Sequence, residues 1–309
     1  MKKVILDVDT GIDDALGILL AIISPEIDLM GITTVSGNID VESSTLNTLR
    51  VLKLIDKTDE VGVYMGATKP LSRSIRYATE VHGSTGMADQ LLDFDVKYKH
   101  IMDAEDFIIK TVKENPGEIT IVMTAPETNL ARAFAKAPEI EDMIKEVIIM
   151  GGVVGGKGNE SPVAEFNIAI DPEAAHIVFN GNYDLTMIGL DVTKKALLTE
   201  DDIAKITETS RVKKFIGDVT KIYMDRFFLD NGIHGCAIHD PLAVAVAIDS
   251  SLVETEHKFI VIERNSEYCD GMTICDFDGR WGKKPNVHVA LAVDSERFIN
   301  FFIDRMSRY

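Results

Sequence analysis

Cysteine is scarce in this 309-residue sequence, where Cys236, Cys269 and Cys275 are all there is. Three is an odd number and no CxxC spacing occurs, so a disulfide framework is excluded and free structural thiols in a reducing cytoplasm are expected. Basic residues are also few: 32 lysines and arginines face 50 aspartates and glutamates, a net charge of −18. That excess would repel nucleic acid and anionic membranes, so neither is a partner, whereas a small neutral or cationic ligand is compatible. No stretch reaches the roughly 18 uninterrupted apolar residues of a membrane span. Met1 leads straight toward an apolar strand, with no h-region or small-residue cleavage site of a secretory leader. Proline- or serine-rich linkers, repeats and low-complexity segments are lacking too, so one domain over 1–309 is expected. What is present is 46% hydrophobic residues, at a mean hydropathy near zero. That is ample for a sizeable core, and a soluble globular protein is the expectation.

Against that background the first fourteen residues stand out. The apolar run Val4 to Leu6 reads as a buried strand, and Asp7, Asp9, Asp13 and Asp14 follow it within eight residues. An apolar helix pattern, Ala15 to Ile23, comes next. Like charges crowded at a strand end repel one another, and desolvation adds to the cost. A divalent cation would relieve both, and carboxylate oxygens suit a hard ion such as Ca²⁺ or Mg²⁺. The plainer alternative is a solvated acidic helix start, favoured by the helix dipole.

Further along, apolar runs alternate with helical stripes. Leu29 to Val35 reads as a strand ending in Ser36-Gly37-Asn38, and Val41 to Ile55 as a helix with Leu46, Leu49, Leu52 and Ile55 at helical spacing. Val61–Tyr64, Glu118–Met123, Ile144–Met150 and Tyr183–Ile188 read as strands, with helices from Ala104 and Leu130 between them. Pro172 sits at the first position of another helix. A long helix is expected from Thr199 to about Asp230, and a buried one over Leu242–Ile248 after His239-Asp240-Pro241. Two paired strands, about Lys258–Ile262 and Val287–Val293, and a helix from Ser295 to Met306 close the chain. The alternation predicts an α/β fold: an open, mostly parallel, Rossmann-like central sheet flanked by helices, with a short C-terminal antiparallel addition. Residues 66–98 lack a pattern, and such a long connection is expected to be an active-site loop. The glycine-rich Gly151–Gly158 has neither GK[ST] nor GxGxxG, so a phosphate loop finds little support.

In a parallel sheet, residues that end different strands meet on one edge. Here they are Asp7 and Asp9, Asn38, Thr124, Met150 and His239-Asp240. The run Asp7-Val8-Asp9-Thr10-Gly11-Ile12-Asp13-Asp14-Ala15 resembles the signature of the inosine-uridine nucleoside hydrolases. The resemblance continues through Ile32–Asn38, Ile149–Gly152, Ala164–Ile168, Asp171–Ala175 and Ile238–Ala243, and so covers essentially the whole chain. It implies cleavage of a ribonucleoside to base and ribose by a metal-activated water, through an oxocarbenium-like transition state.

The resemblance also implies roles. Asp9, Asp14 and Asp240 would hold one Ca²⁺ through their side chains and Thr124 through its backbone carbonyl. Asp9 would double as general base. Asp13, Asn38, Asn159, Glu165 and Asn167 map to the ribose, Met150 to the substrate site, and His82, Tyr223 and Phe227 to the base. His239 would protonate the departing base, although a histidine at a helix start is otherwise commonly a core residue. Tyr223 and Phe227, four apart on one helix face, could equally be core. Asp7 reads as structural support beneath the loop. A homodimer or homotetramer is implied as well.

Two departures from the family pattern stand out. Ala125 and Glu127 replace the glycine and leucine that often flank the proline after the threonine, and Thr10 stands where proline is frequent. A Mg²⁺-dependent phosphatase of the haloacid dehalogenase type shares the Asp-x-Asp strand end. It wants Thr or Val where Gly11 stands, and leaves Asp13-Asp14 and His239-Asp240 unexplained. A non-catalytic nucleoside-binding protein is the remaining alternative.

Overall fold

A computed structural model describes residues 1–78, 83–91, 93–206 and 211–308. Its centre is a nine-stranded sheet in the order β10-β9-β11-β6-β5-β4-β1-β2-β3. In chain order these are β1 (Lys2–Val8), β2 (Ile27–Thr34), β3 (Val63–Met65), β4 (Ile119–Met123), β5 (Glu146–Met150), β6 (Asp184–Ile188), β9 (Val253–Ile262), β10 (Thr273–Asp276) and β11 (Val287–Val293); β7 (Leu197–Leu198) and β8 (Cys236–Ala237) pair separately. From β3 across to β11 every neighbouring pair is parallel. β9 and then β10 add antiparallel at the edge.

The period-2 geometry of β1 distributes its side chains between two layers. Val4, Leu6 and Val8 enter one apolar cluster, and Ile5 enters the other. Asp7 therefore falls on the face of Ile5, inside a layer that is otherwise apolar. The helix Ile12–Ile23 is buried from Ile12 to Ala21, as expected of a segment apolar nearly all round. The helix His239–Ile248, also buried along most of its length, packs against it.

Strand order reverses between β1 and β4, since β1-β2-β3 run one way across the sheet and β4-β5-β6 the other. In open α/β sheets the ligand crevice opens at such a switch point, beyond the carboxyl ends of the strands. The Asp9–Asp14 stretch leaves β1 there, and Thr124 leaves β4 there.

The expected elements are present, with differences that have local causes. The helix expected over Thr199–Asp230 is instead Glu200–Ala204 and Arg211–Asn231. Thr199 and Asp202 form a reciprocal capping box that starts the first of these independently. The helix after Ile238 begins at His239, not at Leu242. β10, β7 and β8 are too short to show a sequence period, as is the one-turn helix Leu190–Thr193. Between Met65 and Ala104 no helix or strand is assigned among the described residues, in keeping with a long loop. Among the described residues no helix is long and apolar enough to cross a membrane.

Candidate active site

The strand ends deliver a cluster of buried carboxylates. One ligand oxygen each from Asp13, Asp14 and Asp240 lies within 4.8 Å of the others, and all three residues are buried. Two unit charges at that separation repel by about 3.5 kcal/mol at an effective dielectric of about 20. Among the described residues, no lysine or arginine forms an ion pair with them or with Asp9. Burial first, and then the neighbouring Asp14 charge, pushes the Asp13 carboxyl up to about 8. Burial likewise raises Asp9, Asp14 and Asp240, and the neighbouring carboxylates add to this at Asp9 and Asp240. A buried acidic group of this kind is suited to a cation, because a bound ion removes both penalties together and draws the carboxyls into their charged form.

The surrounding residues aim these oxygens. Gly11 N–H donates to Asp14 Oδ2 at 2.9 Å, and Thr124 Oγ1 donates to Asp14 Oδ1 at 2.9 Å. Asp9 Oδ2 accepts from the Asn38 backbone N–H at 2.6 Å, and its Oδ1 from Asn38 Nδ2 at 3.0 Å. A Cβ at Gly37 would collide with Asp9 Oδ2, so glycine is what lets the 37–38 backbone approach the carboxylate. Asn167 Nδ2 bridges two strand ends, donating to Thr124 O at 3.2 Å and Met150 O at 3.0 Å.

A family model described as inosine-uridine preferring nucleoside hydrolase matches residues 4–300. This chain belongs to that family. It is 36% identical over 309 residues to the pyrimidine-specific ribonucleoside hydrolase RihA of Escherichia coli, covering 99% of this chain and 98% of the relative. The plant nucleoside hydrolase PpNRh1 superposes with a TM-score of 0.95 at 32% identity, over 100% of this chain and 99% of that one. A purine-preferring ribonucleoside hydrolase from Gardnerella vaginalis gives 0.93 at 37% identity, over 99% and 98%. The protein is thus a hydrolase of N-glycosyl compounds with a ribonucleoside substrate, from a metal-dependent family, and it carries a buried acidic cluster of its own.

Within this nucleoside hydrolase most residues singled out in the sequence converge on one edge. The three carboxylates that meet are Asp13, Asp14 and Asp240, while Asp9 adjoins the group through Asp14 and is otherwise held by Asn38. Asp13 thus shares the acidic group itself. Glu165 is buried with both oxygens on backbone N–H groups: Oε2 accepts from Gly152 and Ile168, Oε1 from Asn167. It caps the short helix Phe166–Ile170. Asn159 is exposed and accepts from the Phe166 N–H. Tyr223 is buried beside the cluster, its phenol raised by burial and then by Asp13, and half-buried Phe227 lies one turn further along the same helix. His82 lies outside the described residues.

Asp7 is fully buried. Its Oδ1 accepts from Thr33 Oγ1 and from Asn129 Nδ2, the latter at 2.8 Å, whereas Oδ2 has no hydrogen-bond partner among the described residues. Burial pushes it up to about 7. Glu127, one of the departures from the family pattern, is also fully buried, and neither of its oxygens has a side-chain partner among the described residues. Burial, then the charges of Glu165, Asp171 and Asp7, raises it well above the usual carboxylate range.

The turn Leu190–Thr193 is not visible in the sequence. Asp191 there accepts from Val154 N–H at 2.9 Å and Gly155 N–H at 2.8 Å, which explains what holds the glycine-rich loop. Thr193 Oγ1 lies 2.7 Å from His239 Nδ1. A four-residue segment with no period gives little signal beyond its position after a strand.

Proposed function

We propose that this chain hydrolyses ribonucleosides with Ca²⁺ as its resident cation and His239 as the proton donor to the base. The observation that carries this reading is the buried, unneutralised group Asp13–Asp14–Asp240 at the sheet's switch point. All its donors are oxygen, which favours Ca²⁺ over Zn²⁺, an ion that would call for Cys or His. In this reading Asp9, Asp14 and Asp240 hold the ion with their side chains and Thr124 with its carbonyl. Asp13 lies close enough to share that duty or to turn to the ribose. When bound, the ion supplies a Lewis-acidic centre that makes water a nucleophile at neutral pH.

The chain's own residues do the rest. Asn38, anchored on Asp9, and Asn167, anchored on two strand-end carbonyls, present amides to the sugar, with Met150, Asn159 and Glu165 shaping that wall. The carboxylates favour the positive charge that develops on the ribosyl ring. As the C1′–N bond breaks, its electron pair passes to the base nitrogen, which takes a proton from His239 Nε2. Water adds its oxygen to C1′ and gives its proton to Asp9. Asp7 supports the loop from below, through Thr33 and Asn129. His82, Tyr223 and Phe227 bound the base.

The nine-stranded sheet, drawn from strands spread over residues 2 to 293, supports a single nucleoside hydrolase domain. A homodimer or homotetramer in a cytoplasmic setting completes the reading. The phosphatase alternative finds no counterpart in a family match spanning residues 4–300. Two relatives near 36–37% identity carry opposite base preferences in their names, so preference rests on this chain's own pocket. Tyr223 and Phe227 favour one that accepts purines as well as uridine. The test is release of free ribose from inosine, adenosine, uridine and cytidine by purified protein with Ca²⁺. Turnover of at least one is expected. No release from any of them, with hydrolysis of a generic phosphate ester, would overturn the reading.

A further inference from the structure

The imidazole of His239 is held by a residue outside the constellation of strand-end acids. Thr193 ends the single helical turn after β6, 46 positions before His239, and its Oγ1 lies 2.7 Å from His239 Nδ1. Thr193 is fully buried, so no bulk water competes for its hydroxyl. A helical threonine commonly turns its hydroxyl back onto the carbonyl four residues earlier. That carbonyl, Gly189 O, already accepts from Val192 N–H and Thr193 N–H, both at 3.1 Å. His239 Nδ1 is the one hydrogen-bond partner the Thr193 hydroxyl has among the described residues.

The turn that carries Thr193 is itself fixed at its start. Leu190 N–H donates to Gly152 O at 2.9 Å, and Asp191 holds Val154 and Gly155 of the glycine-rich loop. β8 follows the same layout, as Ile238 N–H donates to Ala196 O at 3.1 Å. The segments bearing Thr193 and His239 are therefore tied together by main chain as well as by the side-chain contact. A hydroxyl can accept from an N–H or donate to a bare nitrogen by rotating. It can thus hold the ring at Nδ1 whichever protonation state His239 passes through, leaving Nε2 on the far side of the ring.

We propose that Thr193 is the positioning residue for His239, fixing the ring at Nδ1 so that Nε2 meets the departing base. This rests on the reading of His239 as proton donor. A loosened ring delivers its proton less often, while substrates that need no proton are spared; misplacement by about 1 Å can cost on the order of 100-fold.

The test compares Thr193→Val, Thr193→Ser and His239→Ala on inosine or uridine and on the riboside of p-nitrophenol, whose leaving group needs no proton. Thr193→Val is expected to lower kcat on the natural nucleosides by about 10- to 100-fold, with KM and the p-nitrophenyl riboside nearly unchanged. Thr193→Ser should restore most of the loss, and both variants should bind Ca²⁺ as the parent does. Equal losses on the two substrate types, or a serine variant as impaired as the valine one at an unchanged Tm, would overturn the proposal. If His239→Ala shows the leaving-group pattern and Thr193→Val does not, the positioning role alone fails. If His239→Ala itself lowers both substrates equally, the proton-donor reading fails and takes the positioning role with it.

Discussion

The two ends of β1 treat charge in opposite ways. At its start Lys2 Nζ pairs with Glu146 at 2.9 Å, and Lys3 Nζ pairs with Glu118 at 2.7 Å and reaches Asn115 Oδ1 at 2.7 Å. Burial raises Glu146, but Lys2 and Thr120 more than offset it and hold the carboxyl below its ordinary value. At the other end, seven residues away, Asp9, Asp13 and Asp14 are buried with no ion pair among the described residues, and burial raises all three. The same strand therefore carries a solved and an unsolved electrostatic problem. A chain able to neutralise carboxylates with lysine at one edge of its sheet leaves them bare at the other. That edge is where ligands bind in this architecture, and in the proposed function a bound cation supplies the countercharge.

The contrast can be broken most sharply at its unsolved end. Asp9→Ala should lower turnover by at least about 1,000-fold, since both a metal oxygen and the general base go with it. Inductively coupled plasma analysis of the desalted variant should show a matching loss of Ca²⁺. Normal activity at full occupancy would remove Asp9 from the site. His239→Ala ranks next, with a loss of roughly 100- to 10,000-fold on natural nucleosides.

Glu127 sharpens the comparison without touching the cation. Its folded pKa lies well above the unfolded value near 4.5, so folding holds a proton that the unfolded chain releases. The linked stability is fully present below pH 4.5 and shrinks as pH rises toward the folded pKa. Glu127→Gln removes that pH-dependent loss. The variant should be more stable than the parent by about 1–3 kcal/mol at neutral pH, with the gain growing from pH 5 to pH 8 in urea titrations. A gain that falls with pH would show Glu127 to be ionised and partnered. The smallest effect belongs to the solved end. Lys2→Met should cost no more than about 1 kcal/mol, because its pair is partly exposed, and Ca²⁺ affinity should not change in a calorimetric titration.

These regions also differed in how far they could be read ahead of the structure. Asp7 through Asp14 were legible because charge directly after an apolar run violates the ordinary burial pattern, and because strand ends of a parallel sheet share an edge. Asn38, Thr124, Met150 and Asp240 followed from the same rule. That Asp13 lies within the converging group beside Asp14 and Asp240 was not legible, since it depends on side-chain direction after the strand has ended. Thr193 was missed for a related reason: its partner lies 46 residues away, and a one-turn helix carries no period. Glu127 was visible as an odd residue, yet its full burial is a matter of tertiary packing that no local pattern carries. The strands β7, β8 and β10 escaped because two to four residues cannot show alternation.

In the proposed function the buried carboxylates at the end of β1 hold a hard divalent cation. The most direct test is an isothermal titration of chelator-stripped protein with Ca²⁺, beside the same titration of Asp240→Asn. The account predicts one site per chain in the parent, loss of most of its affinity in the variant, and thermal stabilisation that tracks occupancy. Absence of Ca²⁺ binding by a folded, active parent would contradict it.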